Sequence, residues 1–457
     1  MLEKNIFFIS RPSYGVYRAI ILGCKKNCEQ LVNLKLEIRF FEKKFPTINF
    51  ILFFLKNIIN LNFLDKKKYL YITYRKCEIG RHAAATTYRD IKTYKSKFYR
   101  VFNLLKYLFL AGVNVDHAYS ISNSIVGAYI DHCGYLNGIY FRVFALKKKI
   151  IYTNNYPRGL FSINFKKKKN AILSNNENAI RLFKNKKKLD LTNSRNKMLE
   201  FLKNPNLLPW MRYTKYTAIK NYKMNFNDVD YVVYCHSFVD GSLWFGNDEF
   251  PNIKDWLEFT LHELRKNNAK VIIKAHPNFY NKTIESASLD KKIFDQIIRK
   301  HENKNFVFIN KAVPNYELLK KLSKKTILIS HHGTSLLEGA VSGFKTICST
   351  STIWSPDFKI SNQWFNPTDY KRILKKKWKD LYYTNNNDLK IVLHQFIINK
   401  YSLYGKNAYS KIICEHLNIN SKQFYSKHVS NIIQKISEKS LNKLVDKLSN
   451  NVEKIYK

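Results

Sequence analysis

The chain has 457 residues and a formal charge of +45, from 79 Lys and Arg against 34 Asp and Glu, with 45% hydrophobic residues. That hydrophobic share excludes a disordered chain, and the length exceeds the ~250–300 residues at which one core stops growing, so two domains with appended helices are expected. Only 14 Gly and 10 Pro are present, which excludes a collagen-like or linker-rich architecture.

In chain order, the opening MLEKNIFFISRPSYG has an apolar run broken by Arg11 and Pro12, too short for a signal peptide. The most hydrophobic stretch, 48–64, contains Lys56, Asn57, Asn60 and Asn62, too polar for a spanning helix of ~20 residues. It reads as a core helix, with a helix lying on a membrane surface as the alternative. Strands are expected at 69–73, 125–130 and 150–153 and an apolar helix at 99–111, the makings of one α/β domain. Residues 165–225 are Lys- and Asn-rich and irregular, as in a surface excursion followed by a linker.

From residue 228 the pattern becomes regular. Strands at 230–234, 271–274, 306–309, 326–329 and 346–348 alternate with helices at 256–266, 291–299, 316–322 and from 335 to a stop at Gly343. Such alternation means βα units on a parallel sheet, whose ligands bind beyond the carboxyl ends of the strands. Helical patterns dominate from 370 on, the last of them an amphipathic stretch at 429–448. The organisation expected is therefore 1–225, 226–370 and 371–457: an α/β domain, a second Rossmann-like domain, and a helical segment packing back on them.

The charge is less specific than its size implies. The cations are 64 Lys and 15 Arg, and Arg is the residue that reads phosphates and bases bidentately. Lys and Arg are absent from 107–141, 224–253 and 326–344, segments that are buried or form a site. The seven Cys, at 24, 28, 77, 133, 235, 348 and 414, make no disulfide or zinc-ligand framework and fit a reducing cytoplasm.

Three loops carry candidate chemistry. Lys274-Ala-His276-Pro277 closes a strand, and Pro277 keeps His276 extended, which puts an imidazole at the sheet's carboxyl edge. His331-His332-Gly333-Thr334-Ser335 opens from a strand into a helix whose first N–H groups form a ready phosphate site. His236-Ser-Phe-Val-Asp240-Gly241 follows the first strand of this domain and lies on the same rim. Plain structural readings stand beside each: His276 as a satisfied histidine before a turn, Asp240-Gly241 as a turn, and Ser335-x-x-Glu338 as a capping box closing its own helix. The adjacent histidines lack HxH or HExxH spacing, so no metal site is expected.

The pattern H-x-F-x-D, W-L, T-L, K-x-H-P and H-H-G-T-S-x-x-E-x-x-x-x-G across 230–350 resembles the bacterial capsule and surface polysaccharide glycosyltransferases of GT-B architecture. These include capsular Kdo transferases, polysialyltransferases and, more distantly, CDP-glycerol glycerophosphotransferases. The first half matches in outline, through Glu78-Ile-Gly80-Arg81-His82, Tyr129-Ile-Asp131-His132 and Arg142. The resemblance implies an α/β fold of two Rossmann-like parallel-sheet domains facing a cleft. It further implies that His276 contacts the donor phosphate while Pro277 shapes its loop. His332, Gly333, Thr334 and Ser335 would hold that phosphate, and Glu338 would reach the donor ribose or base. His236, Asp240, Gly241 and Lys274 complete the expected donor-binding set. The general base is expected from the first half, with Asp131 the first choice and Asp116, His117, His132 and His82 its rivals. An acidic D/E-D/E-G motif like that of polysialyltransferases is missing, which counts against a sialyl donor.

The activity expected is transfer of a sugar from a CMP- or UDP-linked donor to a capsular or lipid-linked glycan, inverting and without a metal or other cofactor. The acceptor would be reached at the anionic inner-membrane surface by a cytoplasmic, peripherally associated enzyme. A CDP-polyol phosphotransferase would use the same rim, and a sugar-nucleotide epimerase the same architecture. A nucleic-acid-binding protein is the non-enzyme alternative; the Lys-free gaps at the rim loops speak against it, and no nucleic-acid partner is expected.

Overall fold

A computed structural model of the protein describes residues 6–9, 46–60, 68–90, 92–125, 127–130, 134–153, 161–164, 191–204, 216, 225–239, 243, 247–280, 286–352, 354, 358–393, 409–420 and scattered positions from 437 to 447. The first half carries β1 (Ile6–Ile9), α1 (Ile48–Asn60), α2 (Ile79–Thr87), α3 (Lys97–Ile121), β2 (Gly127–Ile130), α4 (Asn137–Leu146), β3 (Ile150–Thr153) and β4 (Phe161–Asn164). Its sheet runs β1-β2-β3-β4, parallel over the first three strands and antiparallel at β4. The expectation of an all-parallel first sheet is thus corrected at that edge.

Residues 69–73 do not form the expected strand. They begin as a 3-10 turn (Lys68–Tyr71) lying against the start of α2, where Gly80 N–H donates to Ile72 O at 3.0 Å. A Cβ on Gly80 would sit 1.8 Å from Tyr69 O, so this close backbone approach requires glycine. The alternating Tyr and Ile side chains that mimic a strand serve the core instead, with Tyr69, Leu70 and Ile72 buried.

α3 outlasts the expected 99–111 helix. Ser96 caps it by accepting from Tyr99 N–H, and its polar C-terminal half is held by partners on neighbouring segments. Asp116 accepts from Thr47 Oγ1 (2.6 Å), Tyr74 OH (3.1 Å) and Arg75 Nη1 (2.8 Å), and His117 Nδ1 meets Tyr140 OH at 2.7 Å. α1 crosses α3, Phe50 and Phe54 packing on Phe109 with ring centroids 5.6 and 5.2 Å apart. Only one face of α1 enters the core: Ile48, Leu52, Leu55 and Ile59 remain exposed, so the core-helix reading holds for half of its surface.

The second half carries α5 (Leu191–Lys203), β5 (Tyr231–Tyr234), α6 (Ile253–Lys266), β6 (Val271–Lys274), α7 (Ala287–His301), β7 (Phe306–Ile309), α8 (Asn315–Lys321), β8 (Ile327–Ser330), α9 (Thr334–Val341), β9 (Lys345–Ser349), β10 (Asn362–Trp364), α10 (Pro367–Leu374) and α11 (Tyr409–Leu417). Strands β6 and β7 fall where the sequence predicts them, β5 starts one residue later, β8 is shifted by one, and β9 is longer by one residue at each end. α5 lies inside the stretch read as excursion and linker, most of which is outside the described residues, as is most of 429–448.

All six strands are parallel in the order β10-β9-β8-β5-β6-β7. Counted from β5 this is 3-2-1-4-5-6, the doubly wound order, and the winding reverses between β5 and β8. β5, β6 and β8 are buried throughout, as strands covered by helices on both faces must be. Among the described residues no helix is long and apolar enough to cross a membrane. The two halves touch where Arg81 Nη1 donates to Leu243 O (2.9 Å) and Tyr94 OH donates to Phe238 O.

Candidate functional site

The reversal point collects the histidines. His236 leaves β5, His276 follows β6, and His331 and His332 follow β8. The rings of His236 and His332 lie with centroids 4.0 Å apart, and those of His236 and His276 5.3 Å apart. The β5 loop is held by Asp290 on the first turn of α7, whose carboxylate accepts from Ser237 Oγ (2.7 Å) and Phe238 N–H (2.8 Å). Asp240 and Gly241 lie outside the described residues.

His276 has a defined proton. Asn278 N–H donates to His276 Nδ1 at 3.2 Å, which leaves Nε2 as the N–H donor of the neutral ring. Burial, reinforced by His236 and Lys274, holds its pKa well below the usual histidine value, so it stays neutral at physiological pH. Pro277 starts a 3-10 turn (Pro277–Tyr280) in which Phe279 is buried.

Gly333 is the N-cap of α9 with φ of +134°, a backbone conformation that L side chains rarely adopt, and the helix start has no side-chain cap. Thr334 and Ser335 occupy its first turn, half-buried, where the N–H groups have no intrahelical acceptor. The capping-box reading is corrected here. Ser335 lies inside the helix, and Glu338 accepts instead from Asn315 Nδ2 at 2.6 Å.

Glu338 and Lys274 face one another beneath the rim. Burial pushes Glu338 up to about 7, opposed by Asn315 and Lys274, and pushes Lys274 down to about 8, opposed by Glu338 and Cys235. Tyr234 lies in the same group, its phenol raised well above the usual value by burial and by Glu338.

Below His332 a buried polar chain runs inward. His331 Nδ1 lies 2.7 Å from His332 Nδ1, and His331 Nε2 lies 2.7 Å from Asp248 Oδ2. Ser349 Oγ donates to the same carboxylate and Phe250 N–H donates to its other oxygen. Trp256 and Trp364 pack edge-on against the His331 ring. Sequence reasoning missed Asp248 and Asn315. A carboxylate inside the Lys-free segment 224–253 was the available signal for Asp248.

Of the proposed base residues, Asp131 and His132 lie outside the described residues. Asp116 and His117 are engaged by the partners given above. His82 is buried in α2, and burial with Arg81 and Arg142 depresses its pKa well below the usual histidine value. Among the described residues no group of three His, Cys, Asp or Glu is placed to hold a metal ion.

No family model matches the chain, and no curated protein matches it. Among solved structures it is similar to KpsC, beta Kdo 2,4 transferase, of Thermosulfurimonas dismutans, at 11% sequence identity and a TM-score of 0.25. The match covers 43% of this chain and 54% of that one, so the chain spans about half the length of KpsC.

Proposed function

We propose that the protein is a glycosyltransferase that moves a sugar from a CMP- or UDP-linked donor to a surface polysaccharide or its lipid-linked precursor. The observation that carries this reading is the meeting of His236, His276 and His332 over the uncapped start of α9 at the β5/β8 reversal point.

The chemistry follows from the site. As the bond to the anomeric carbon breaks, negative charge grows on the departing nucleotide phosphate. In this reading His276 Nε2–H and the first N–H groups of α9, at Thr334 and Ser335, donate to that phosphate as the charge develops. Gly333 lets the phosphate approach the backbone. Glu338 and Lys274, one layer deeper, are suited to the ribose or base, and Asp240 and Gly241 complete the proposed donor-binding set. The acceptor hydroxyl loses its proton to a base from the first half, with Asp131 the residue assigned. In this scheme residues 1–225 hold the acceptor, 226–370 hold the donor, 371–457 brace the two, and closure aligns the substrates for inverting attack without a metal. The exposed stripe of α1 rests on an anionic membrane surface from the cytoplasmic side.

A thermal-shift series with CMP, CDP, UDP, GDP and ADP tests the reading. A ligand of the folded state at about 100 times its dissociation constant adds ~2.7 kcal/mol. A shift with CMP, CDP or UDP supports it, and no shift with any of the five overturns it.

A further inference from the structure

We infer that Tyr94, a residue of the first half, is a positioning residue for the donor rim: by holding the Phe238 carbonyl it sets the loop that carries His236 and the ring stack that backs His276. The inference rests on the donor-site reading above and adds to it a residue that touches neither substrate.

The loop that leaves β5 is shared between the halves. Asp290, from α7, accepts from Ser237 Oγ and from Phe238 N–H, which ties the loop to the second half. The next peptide group is held from the first half, where Tyr94 OH donates to Phe238 O. Peptide groups are planar, so fixing the two that flank Phe238 fixes its φ and ψ. His236 lies two residues upstream and takes its place from that anchor.

A second contact holds the far side of the loop. Leu243 O accepts from Arg81 Nη1 at 2.9 Å, and the Leu243 side chain belongs to the first-half core. Its φ of +62° lies in the left-handed region that favours glycine, a conformation a leucine keeps where its surroundings over-determine it. In return, Tyr94 packs against the second-half cluster that contains Phe238 and Phe279. Each half thus packs one side chain into the other's core.

The anchor reaches His276 through rings. Phe238 stacks on Phe279 with centroids 5.6 Å apart, and Phe279 lies 6.1 Å from the His276 ring. Both phenylalanines are buried, so a displaced Phe238 pushes on its neighbours rather than into open space.

Tyr94 is rigidly mounted. It lies in the short helix Lys92–Lys95, where Thr93 Oγ1 donates to Thr87 O (2.8 Å) at the end of α2, the helix that also carries Arg81. The two donors to the β5 loop therefore move as one body. A first half that swings away withdraws both, so the donor rim is complete only while the halves are docked.

Tyr94→Phe removes the hydroxyl and keeps the ring. Tyr99→Phe is its control, because that phenol donates to Asp90 Oδ2 (3.0 Å) within the first half. In calorimetric titration with UDP and CMP, the dissociation constant should rise about tenfold in Tyr94→Phe, the scale of one lost hydrogen bond, and stay at the wild-type value in Tyr99→Phe. Urea midpoints on the same preparations separate positioning from stability. A lowered midpoint with a wild-type dissociation constant in Tyr94→Phe would make the contact merely structural and overturn the inference while the donor-site reading stands. In the free protein, NMR of isotope-labelled histidine should show the His236 and His276 ring signals shifted in Tyr94→Phe, and that of His117, which rests on Tyr140, unmoved. Wild-type His236 signals in Tyr94→Phe also overturn it. If the wild type binds neither nucleotide, the functional reading fails, and the His236 signals still decide whether Tyr94 holds the loop.

Discussion

The rings of His236 and His332 lie with centroids 4.0 Å apart, one at the end of β5 and the other at the end of β8. β5 and β8 are hydrogen-bonded neighbours, with Tyr234 opposite Ser330. Their onward connections run to opposite sides of the sheet, because the next strand is β6 on one flank and β9 on the other. The loops therefore separate just past the strand ends, and the two imidazoles line the crevice that this opens.

Removal of either rim donor should be severe for transfer and mild for folding. His276→Ala and His332→Ala each remove a half-buried imidazole from a loop. By analogy with single oxyanion-type donors, a loss of about 10²–10³ in turnover is expected for each. Circular dichroism and a transfer assay on the same preparations check this. Near-wild-type polymer synthesis by both variants would refute the site assignment.

The second sheet was legible because its strands are short β-branched runs such as Val271-Ile-Ile and Ile327-Leu-Ile, buried on both faces, and such runs have few other fates. The first half was less so. Tyr69 to Thr73 alternates like a strand, and only the packing of Gly80 against Tyr69 O makes it a turn. β10 is three residues, Asn-Gln-Trp, with no strand-like composition. At the site, the rim histidines were readable from their place after strands. Asp248 was not, because its importance comes from a loop brought against β8 and β9 by tertiary packing. The Ser335-x-x-Glu338 spacing fitted a capping box, but Asn315, from the neighbouring α8, claims the carboxylate.

Gly333→Ala should separate space from conformation. A Cβ there would meet nothing closer than His236 Cδ2 at 3.7 Å, so there is room. The cost is the backbone at φ +134°, on the order of 1–3 kcal/mol for a residue with a side chain. Relaxing that strain turns the start of α9 away from the rim. Urea unfolding should show the stability loss and thermal shift a weakened nucleotide response. Wild-type values in both would remove Gly333 from the site.

Glu338 and Lys274 predict an unusual pH profile. Between the ordinary carboxyl value of 4.5 and about 7, folded Glu338 keeps a proton that the unfolded chain has released, so its contribution to stability falls as pH rises through that window. Between about 8 and the ordinary lysine value of 10.5, the unfolded chain binds the extra proton, so the Lys274 contribution rises with pH. Together they place a stability minimum at pH 7–8. Glu338→Gln should flatten the acidic side by a few kcal/mol at most, at ~1.4 kcal/mol per pKa unit. Urea midpoints from pH 5 to 9 measure it, and identical wild-type and Glu338→Gln profiles would contradict the burial of that carboxyl.

The outer face of α1 makes the membrane proposal testable apart from catalysis. Ile48 and Ile59 are 76% and 80% exposed, and with Leu52 and Leu55 they follow the i, i+4, i+7, i+11 spacing of one helical stripe. Phe98 and Phe102 on α3, the helix against which α1 packs, are exposed as well. Lys56, Lys97 and Lys106 are exposed on the same two helices, and each Lys near an anionic surface adds ~1 kcal/mol. Burying a Leu or Ile in the lipid interface contributes ~1.5–3 kcal/mol, so Leu52→Asn and Ile59→Asn should each weaken binding to phosphatidylglycerol-containing vesicles about tenfold or more. Both side chains face water in the free protein, so unfolding should stay within ~0.5 kcal/mol of wild type. Co-sedimentation in low and high salt gives the readout: binding should fall with salt and with each substitution. Vesicle binding that both variants retain in full would detach α1 from the membrane, whatever the outcome of the nucleotide experiments.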